Sequence, residues 1–162
     1  MIAENLVEVR ERISRAIQKS GREPDSARLI TVSKQISVDR IEEARAAGAV
    51  VFGENKIQEA IPKIEQMGTE EISWHFIGHL QKNKVKFLDE RFDLIHSVDS
   101  LELAEKIAKQ YHSENRVQRI LLQVNVSGEV AKFGMEPKEL EKKMAEFLQL
   151  QGIQVEGLMT IP

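Results

Sequence analysis

The sequence predicts an α/β protein with a parallel sheet closed as a (β/α)8 TIM-type barrel, and three observations carry this prediction. Short apolar runs alternate with amphipathic helical patterns along the 162 residues, which is typical of βα units. The connections between such units are short and right-handed. Several runs also place a polar side chain at their carboxyl end on one common face. A polar interior mouth favours a barrel over the alternative, a doubly wound open sheet.

The predicted elements follow a regular order after one N-terminal helix. That helix carries Leu6, Val9, Ile13 and Ile17 at helical spacing and stops at Ser20-Gly21. The predicted strands are 29–33, 50–52, 73–77, 94–97, 120–126 and 153–158, and the helices between them are 38–47, 57–67, 80–88, 101–111 and 140–150. This is about six βα units, whereas a complete barrel has eight.

Residues 1–162 are therefore expected to form a single barrel domain that lacks the C-terminal βα units. Barrels frequently bind phosphate with the loops after strands seven and eight. A protein ending at Pro162 is expected to hold a phosphorylated ligand weakly, and to aggregate through the exposed edges of its first and sixth strands.

Composition excludes several classes of protein. A net charge of -3 gives no general attraction to nucleic acid or to anionic lipid. The sequence has no cysteine, so thiolate chemistry and disulfides are excluded, and a reducing compartment fits. The N-terminus is acidic where a signal peptide is basic, and no apolar run reaches the roughly 18 residues of a membrane span. These features predict a cytoplasmic protein.

Lys34 is the first candidate site residue, because it closes the first apolar run where a strand gives way to a helix. An amine at that position can react with a carbonyl group, although a solvated surface lysine fits the position as well. The neighbouring strand ends favour a site, since Asn55, His79 and Asn125 follow later strands and offer hydrogen bonds. Lys132 lies in a loop that faces either the barrel mouth or the solvent.

The four histidines do not predict a metal site. His75 and His79 are four residues apart, but they lie on a strand and its following turn and share no helical face. His96 is inside another apolar run, and His112 is on a charged helix. Of the four, only His79 is placed near the candidate site.

Four sequence blocks closely resemble the pyridoxal phosphate homeostasis protein family. The first is Val32-Ser33-Lys34, and the second is Phe52-Gly53-Glu54-Asn55-Lys56-Ile57-Gln58-Glu59. The third runs from Trp74 through His79 to Lys84, and the last is Gly157-Leu158-Met159-Thr160-Ile161-Pro162. The second and third blocks are long and specific, and the resemblance extends from the first helix to the last residue.

This resemblance implies a barrel of the alanine racemase N-terminal type that holds pyridoxal 5′-phosphate (PLP) as a Schiff base, with no established turnover. It implies that Lys34 bonds to the cofactor, that Asn55 lies beside its ring and that Met159 lines the pocket. Lys132 matches a loop lysine of the family. The segment Gln35-Ile36-Ser37 departs from the common Thr-Lys-Pro, so the loop after Lys34 is expected to be looser.

The resemblance also implies a carrier rather than an enzyme. Its partners would be the small-molecule cofactor and PLP-dependent apo-enzymes, without nucleic acid or membrane, and the full-length protein would be a monomer. Two alternatives stay open: a PLP-dependent amino-acid racemase or lyase, and a Schiff-base aldolase. A racemase needs a second base, and Tyr111, on a helix, is badly placed for that role.

Overall fold

The computed structural model describes residues 1–129 and 132–161, and it contains the predicted alternation of strands and helices. The helices are α1 (Ile2–Ser20), α2 (Val38–Ala46), α3 (Ile57–Met67), α4 (Leu101–Ser113) and α5 (Pro137–Gln149). The strands are β1 (Thr31–Val32), β2 (Val51–Glu54), β3 (Ser73–Phe76), β4 (Leu94–Val98), β5 (Gln118–Gln123) and β6 (Ile153–Met159).

The sheet has six strands in the order β1-β2-β3-β4-β5-β6, and every pairing is parallel. A doubly wound sheet reverses direction at a switch point and places a later strand beside the first. Here each strand lies next to the one that precedes it in sequence, which is the strand order of a barrel wall. The sequential order therefore excludes the open doubly wound alternative.

One face of the sheet packs against the helices and forms the core. Alternate strand residues point to this face and are buried, among them Phe52, Trp74, Phe76, Ile95, Ile120 and Leu122. The helices contribute Ile41, Ile64, Leu103 and Ile107 to the same cluster. Each buried side chain of this size contributes about 1.5–3 kcal/mol to folding, so helix packing is the main source of stability for this sheet.

Helix α1 packs beside the barrel wall before the first strand. It buries Leu6 and Ile17 and ends at Gly21, whose φ of 68° provides the left-handed cap. Arg10 ties the helix to the loop after α2 by donating to the carbonyl oxygens of Ala47 (3.1 Å) and Gly48 (2.5 Å). No helix in the described ranges combines the length and apolar character needed to cross a membrane.

Two elements differ from the sequence-based prediction. The helix expected over 80–88 is a short 3₁₀ helix, Lys82–Phe87. The hydrogen bonds at its two ends span three residues, from the Lys84 amide to the Gln81 carbonyl and from the Leu88 amide to the Val85 carbonyl, which is the spacing of a 3₁₀ turn. Strand β1 has only two residues where five were predicted. It pairs with β2 alone among the described strands, and Val32 is 49% exposed.

The other face of the sheet, the inner face, has an apolar region and a polar region. Near β2 and β3 it is apolar, since a Cβ on Gly53 would meet the side chains of Ile77 and Ile30. Toward β4 it holds a histidine pair, in which His75 Nδ1 lies 2.9 Å from His96 Nε2 while His75 Nε2 lies 3.1 Å from the Ser73 hydroxyl. The two imidazole rings are therefore hydrogen-bonded to each other within the sheet. The described residues contain no group of three side chains suited to a metal ion.

We expect the free energy of unfolding to fall as the pH is lowered from 6.5 toward 4. Burial, with a smaller effect of His96, lowers the pKa of His75 from 6.5 to about 4. The unfolded chain therefore binds a proton in this window before the folded chain does. The contribution of His75 to the free energy of unfolding is therefore fully present above pH 6.5. It is lost as the pH falls toward 4, by at most about 3 kcal/mol.

Urea unfolding at a series of pH values measures this effect. The His75→Gln variant should show a flatter dependence between pH 6.5 and 4. The matched control is His112→Gln, which changes an exposed histidine on α4 and should keep the original slope. Equal slopes for the His75 variant and the parent protein would contradict the assignment.

Candidate functional site

The carboxyl ends of the six strands meet at one edge of the sheet, because all the strands are parallel. A polar or reactive side chain follows the end of each of the first five strands, and a methionine is the last residue of the sixth. In strand order they are Lys34, Asn55, His79, Asp99, Asn125 and Met159. In barrels this edge is where ligands bind.

Lys34 lies in a tight turn directly after β1. The turn is closed by the Ile36 amide, which donates to the Ser33 carbonyl at 3.1 Å, and Gln35 has a φ of 61°. The Lys34 side chain is exposed, and Lys34 Nζ forms no hydrogen bond or ion pair with any described residue. An amine without a partner at a strand end can react with an aldehyde.

Asn55 follows β2, and Lys34 follows β1, which pairs with β2 through Val32 and Gly53. Its Oδ1 atom is buried and has no hydrogen-bond partner in the described part of the chain. Gly78 packs directly on its backbone: a Cβ on that glycine would lie 2.1 Å from the Asn55 carbonyl oxygen. Only a glycine permits this approach, so the ends of β2 and β3 are held together around Asn55.

His79 connects three strand ends. Its ring stacks on Phe133 with centroids 3.7 Å apart and planes at 13°. Its Nδ1 lies 3.5 Å from an oxygen of Asp99, which follows β4. Burial raises the pKa of the Asp99 carboxyl, and the positive charge that His79 can carry opposes that rise. Sequence reasoning placed His79 near the site but missed Asp99 and the stacking role of Phe133.

Asn125 holds the loop after β5 rather than pointing an unused amide at the barrel mouth. Its Nδ2 donates to the carbonyl oxygens of Glu129 (2.9 Å) and Lys132 (3.3 Å). Its Oδ1 accepts from the Ser127 hydroxyl and the Gly128 amide, both at 3.1 Å. The Asn125 side chain therefore fixes the shape of this loop.

Lys132 and Met159 occupy the far side of the edge. Lys132 is partly buried, and its Nζ lies 2.9 Å from a carboxylate oxygen of Glu129. Met159 ends β6 in register with Gln123, and its carbonyl accepts from the Val124 amide at 2.8 Å. Its side chain is half-buried. Pro162, which ends the last sequence block, lies outside the described residues.

Cavities lie at both ends of the sheet. One of about 950 Å³ lies between α1 and the amino ends of the first strands, and no residue of the predicted site lines it. One of about 440 Å³ lies at the carboxyl edge, where His79, Lys82, Asp99 and Ser100 line it. The smaller cavity adjoins the predicted site, and the general position of barrel sites favours it over the larger one.

The sequence analysis did not identify a buried charged group that contacts the backbone of Ser33, the residue before Lys34. Lys63 on α3 is in contact with Glu54, Glu59 and the backbone of Ser33. One signal could have revealed it: Lys63 follows the buried Ala60 by three residues and so falls within the apolar stripe of α3. A lysine at such a position needs partners inside the fold.

The chain has relatives of known family in its sequence. Residues 5–162 match the family described as alanine racemase, N-terminal domain. The chain is 43% identical over 159 residues to the pyridoxal phosphate homeostasis protein of Aquifex aeolicus, covering 98% of this chain and 70% of that protein. It is 39% identical over 164 residues to the protein of the same name from Escherichia coli, with coverages of 99% and 70%.

Solved structures resemble the fold closely. PipY of Synechococcus elongatus with PLP bound gives a TM-score of 0.84 at 37% identity, covering all of this chain and 71% of that one. Alanine racemase of Clostridium difficile gives 0.71 at 19% identity, with coverages of 92% and 39%, and this likeness concerns the fold alone. These similarities confirm the predicted barrel of the alanine racemase N-terminal type.

Proposed function

The chain belongs to the pyridoxal phosphate homeostasis protein family, and from this premise we propose that it binds PLP at the carboxyl edge of its sheet and holds it on Lys34. Its role would be to keep the cofactor available in the cell rather than to turn over a substrate. The cytoplasm is the compartment we propose, which the lack of cysteines fits. Its partners would be PLP itself and the apo-enzymes that receive it.

The observation that carries this proposal is the pair formed by Lys34 and Asn55. An amine without a partner and a buried amide oxygen without a partner lie at neighbouring strand ends. Leaving a buried polar atom unmatched is costly, so such an atom at a ligand edge suggests a bound group. When bound, PLP supplies an aldehyde that can bond to the amine and a conjugated ring that can accept electrons.

The remaining predicted residues have compatible places around this pair. Met159 would give an apolar wall, and His79, held by Phe133 and Asp99, would border the ring. Asn125 would fix the loop that carries Lys132, whose charge suits an anionic ligand. Each of these assignments is part of the proposal.

The carrier role is supported over the racemase alternative by the position of Tyr111. This is the one tyrosine of the sequence. It is 2% exposed within the core, and its hydroxyl donates to the Asp89 carbonyl at 3.0 Å. Burial raises its pKa well above the usual range. Tyr111 therefore cannot supply the second base that a racemase needs.

Titration with PLP tests the proposed function. We expect a new absorption band from covalently held cofactor, and borohydride reduction followed by peptide mapping should mark Lys34. Addition of amino acids should cause no exchange of their α-hydrogen, whereas exchange would favour the racemase or lyase alternative. Trapping of sugar phosphates but not PLP would favour the aldolase.

The Asn55→Ala variant should keep the fold and weaken PLP binding. Loss of one matched buried hydrogen bond costs about 1–3 kcal/mol, which is roughly a five- to 150-fold rise in Kd. Equilibrium titration of the two proteins measures the change. Asn5→Ala, which alters an exposed amide on α1, is the control and should leave Kd unchanged. A Kd equal to that of the parent would remove Asn55 from the site.

A further inference from the structure

Lys63 is a buried lysine whose three donors all have partners. Its side chain is 9% exposed, and Nζ donates to the Ser33 carbonyl at 2.8 Å and to carboxylate oxygens of Glu54 and Glu59, each at 2.9 Å. These acceptors belong to three segments: the turn after β1, the end of β2, and α3. One ammonium group thus joins the three segments at a single point.

The turn that carries Lys34 is held on both sides by the same group of residues. On one side, the Ser33 hydroxyl donates to Glu54 at 2.6 Å while its carbonyl accepts from Lys63. On the other side, the Gln35 amide donates to the Glu59 carboxylate. Lys34 lies between these two anchored residues.

The anchoring matters because the turn has an unfavourable backbone. Gln35 has a φ of 61°, in the left-handed region, which is unfavourable for a residue with a side chain. Without the bond from its amide to Glu59, this turn would relax into other conformations. A change at Gln35 moves Lys34, which precedes it directly.

A stabilising role alone does not explain the buried charges. Glu54 is fully buried, and its second carboxylate oxygen has no partner among the described residues. Burying such an ion pair costs desolvation energy, and apolar residues in its place are often as stable or more so. What the charged group provides, and apolar packing does not, is directional bonds to the turn backbone.

We propose that Lys63, Glu54 and Glu59 are positioning residues that fix the Ser33–Ile36 turn and thereby hold Lys34 Nζ where a ligand aldehyde meets it. This inference rests on the proposed function for the identity of the ligand. The anchoring of the turn is independent of the proposed function, because the turn forms in the protein without any ligand.

The test compares two lysine–glutamate pairs with the same i,i+4 spacing. Glu59 and Lys63 form the buried pair on α3, and Glu139 and Lys143 form an exposed pair on α5 with an Nζ–Oε1 distance of 2.8 Å. The test variants are Glu59→Ala and Lys63→Met, and the controls are Glu139→Ala and Lys143→Met. The double variant Lys63→Met/Glu54→Gln removes the unpaired buried charge if Lys63→Met alone fails to fold.

Two measurements are made on each folded protein. The first is native-state hydrogen exchange of the Gln35 and Ile36 amides without ligand, where we expect faster exchange in the test variants only. The second is the rate of borohydride-trapped PLP attachment at Lys34, where we expect a loss of about tenfold or more, the scale of a misplaced reacting group. Thermal melts identify any global loss of structure.

The outcomes separate this inference from the proposed function. Exchange and trapping rates equal to the parent in Glu59→Ala and in either Lys63 variant would overturn the inference. Faster exchange spread evenly over the whole chain would also overturn it, because that indicates a general structural role. Failure of the parent protein to trap PLP at Lys34 would reject the proposed function, while the exchange data would still decide whether the group holds the turn.

Discussion

Replacement of Lys34 by alanine is expected to reduce covalent capture of PLP to background. On the proposed function the Lys34 amine is the group that bonds to the aldehyde, and Lys34 follows β1, the strand that pairs with the one Asn55 follows. Because Lys34 is exposed, its loss should change the free energy of unfolding by no more than about 0.5 kcal/mol. The loss would therefore concern binding and not folding.

The measurement is the absorption band of bound cofactor, followed by peptide mapping of the borohydride-reduced protein. Lys56→Ala is the control, since it removes an exposed lysine adjacent to Asn55 at the same edge. That control should retain the band and the labelled Lys34 peptide. A label found mainly on a different lysine of the parent protein would show that the assignment is wrong.

The second large effect is expected from Gly78→Ala, which should destabilise the fold by about 3 kcal/mol or more. The added Cβ would lie 2.1 Å from the Asn55 carbonyl oxygen and 2.6 Å from the Asn55 Cα. Both contacts are with backbone, so no side-chain rotation can relieve them. The ends of β2 and β3 must separate, and Asn55 must move with them.

Urea unfolding and PLP titration together measure this variant. Gly157→Ala on β6 is the matched control, because its Cβ would make an ordinary contact of 3.7 Å with Leu121. The control should lose less than about 1 kcal/mol. Equal midpoints for Gly78→Ala and Gly157→Ala would mean that the contact with Asn55 is not as close as described.

The sequence predicts the fold well because local patterns and global architecture agree. Helix α3 has the predicted limits, since Ile57, Ala60 and Ile64 mark one face and Gly68 follows the last residue. The alternation of six strands with helices was sufficient to predict a parallel sheet. The 3₁₀ helix was mistaken for an α-helix because a segment of six residues is too short to distinguish a repeat of 3.0 from one of 3.6.

The site is less predictable because its parts are brought together by packing. The carboxyl ends of strands identify Lys34 and Asn55, but the stack of His79 on Phe133 joins segments that no sequence pattern relates. The sequence predicts Asn125 as a ligand contact. In the structure its side-chain amide forms four hydrogen bonds within its own loop. Lys63 falls within the apolar stripe of α3, but its partners Glu54 and Ser33 come from other segments that only the fold brings to it.

The sequential strand order has a consequence for how the chain assembles. Each strand pairs with its predecessor, so every pairing closes only the segment between two consecutive strands, and the entropy lost grows slowly with the length of that segment. The sheet can grow unit by unit, whereas the proposed ligand edge draws on every unit from β1 to β6. A ligand that binds only the completed edge raises the free energy of unfolding by mass action. On the proposed function, bound PLP would thus lower the small fraction of this protein that is unfolded at any moment, and would do so more at higher PLP concentration.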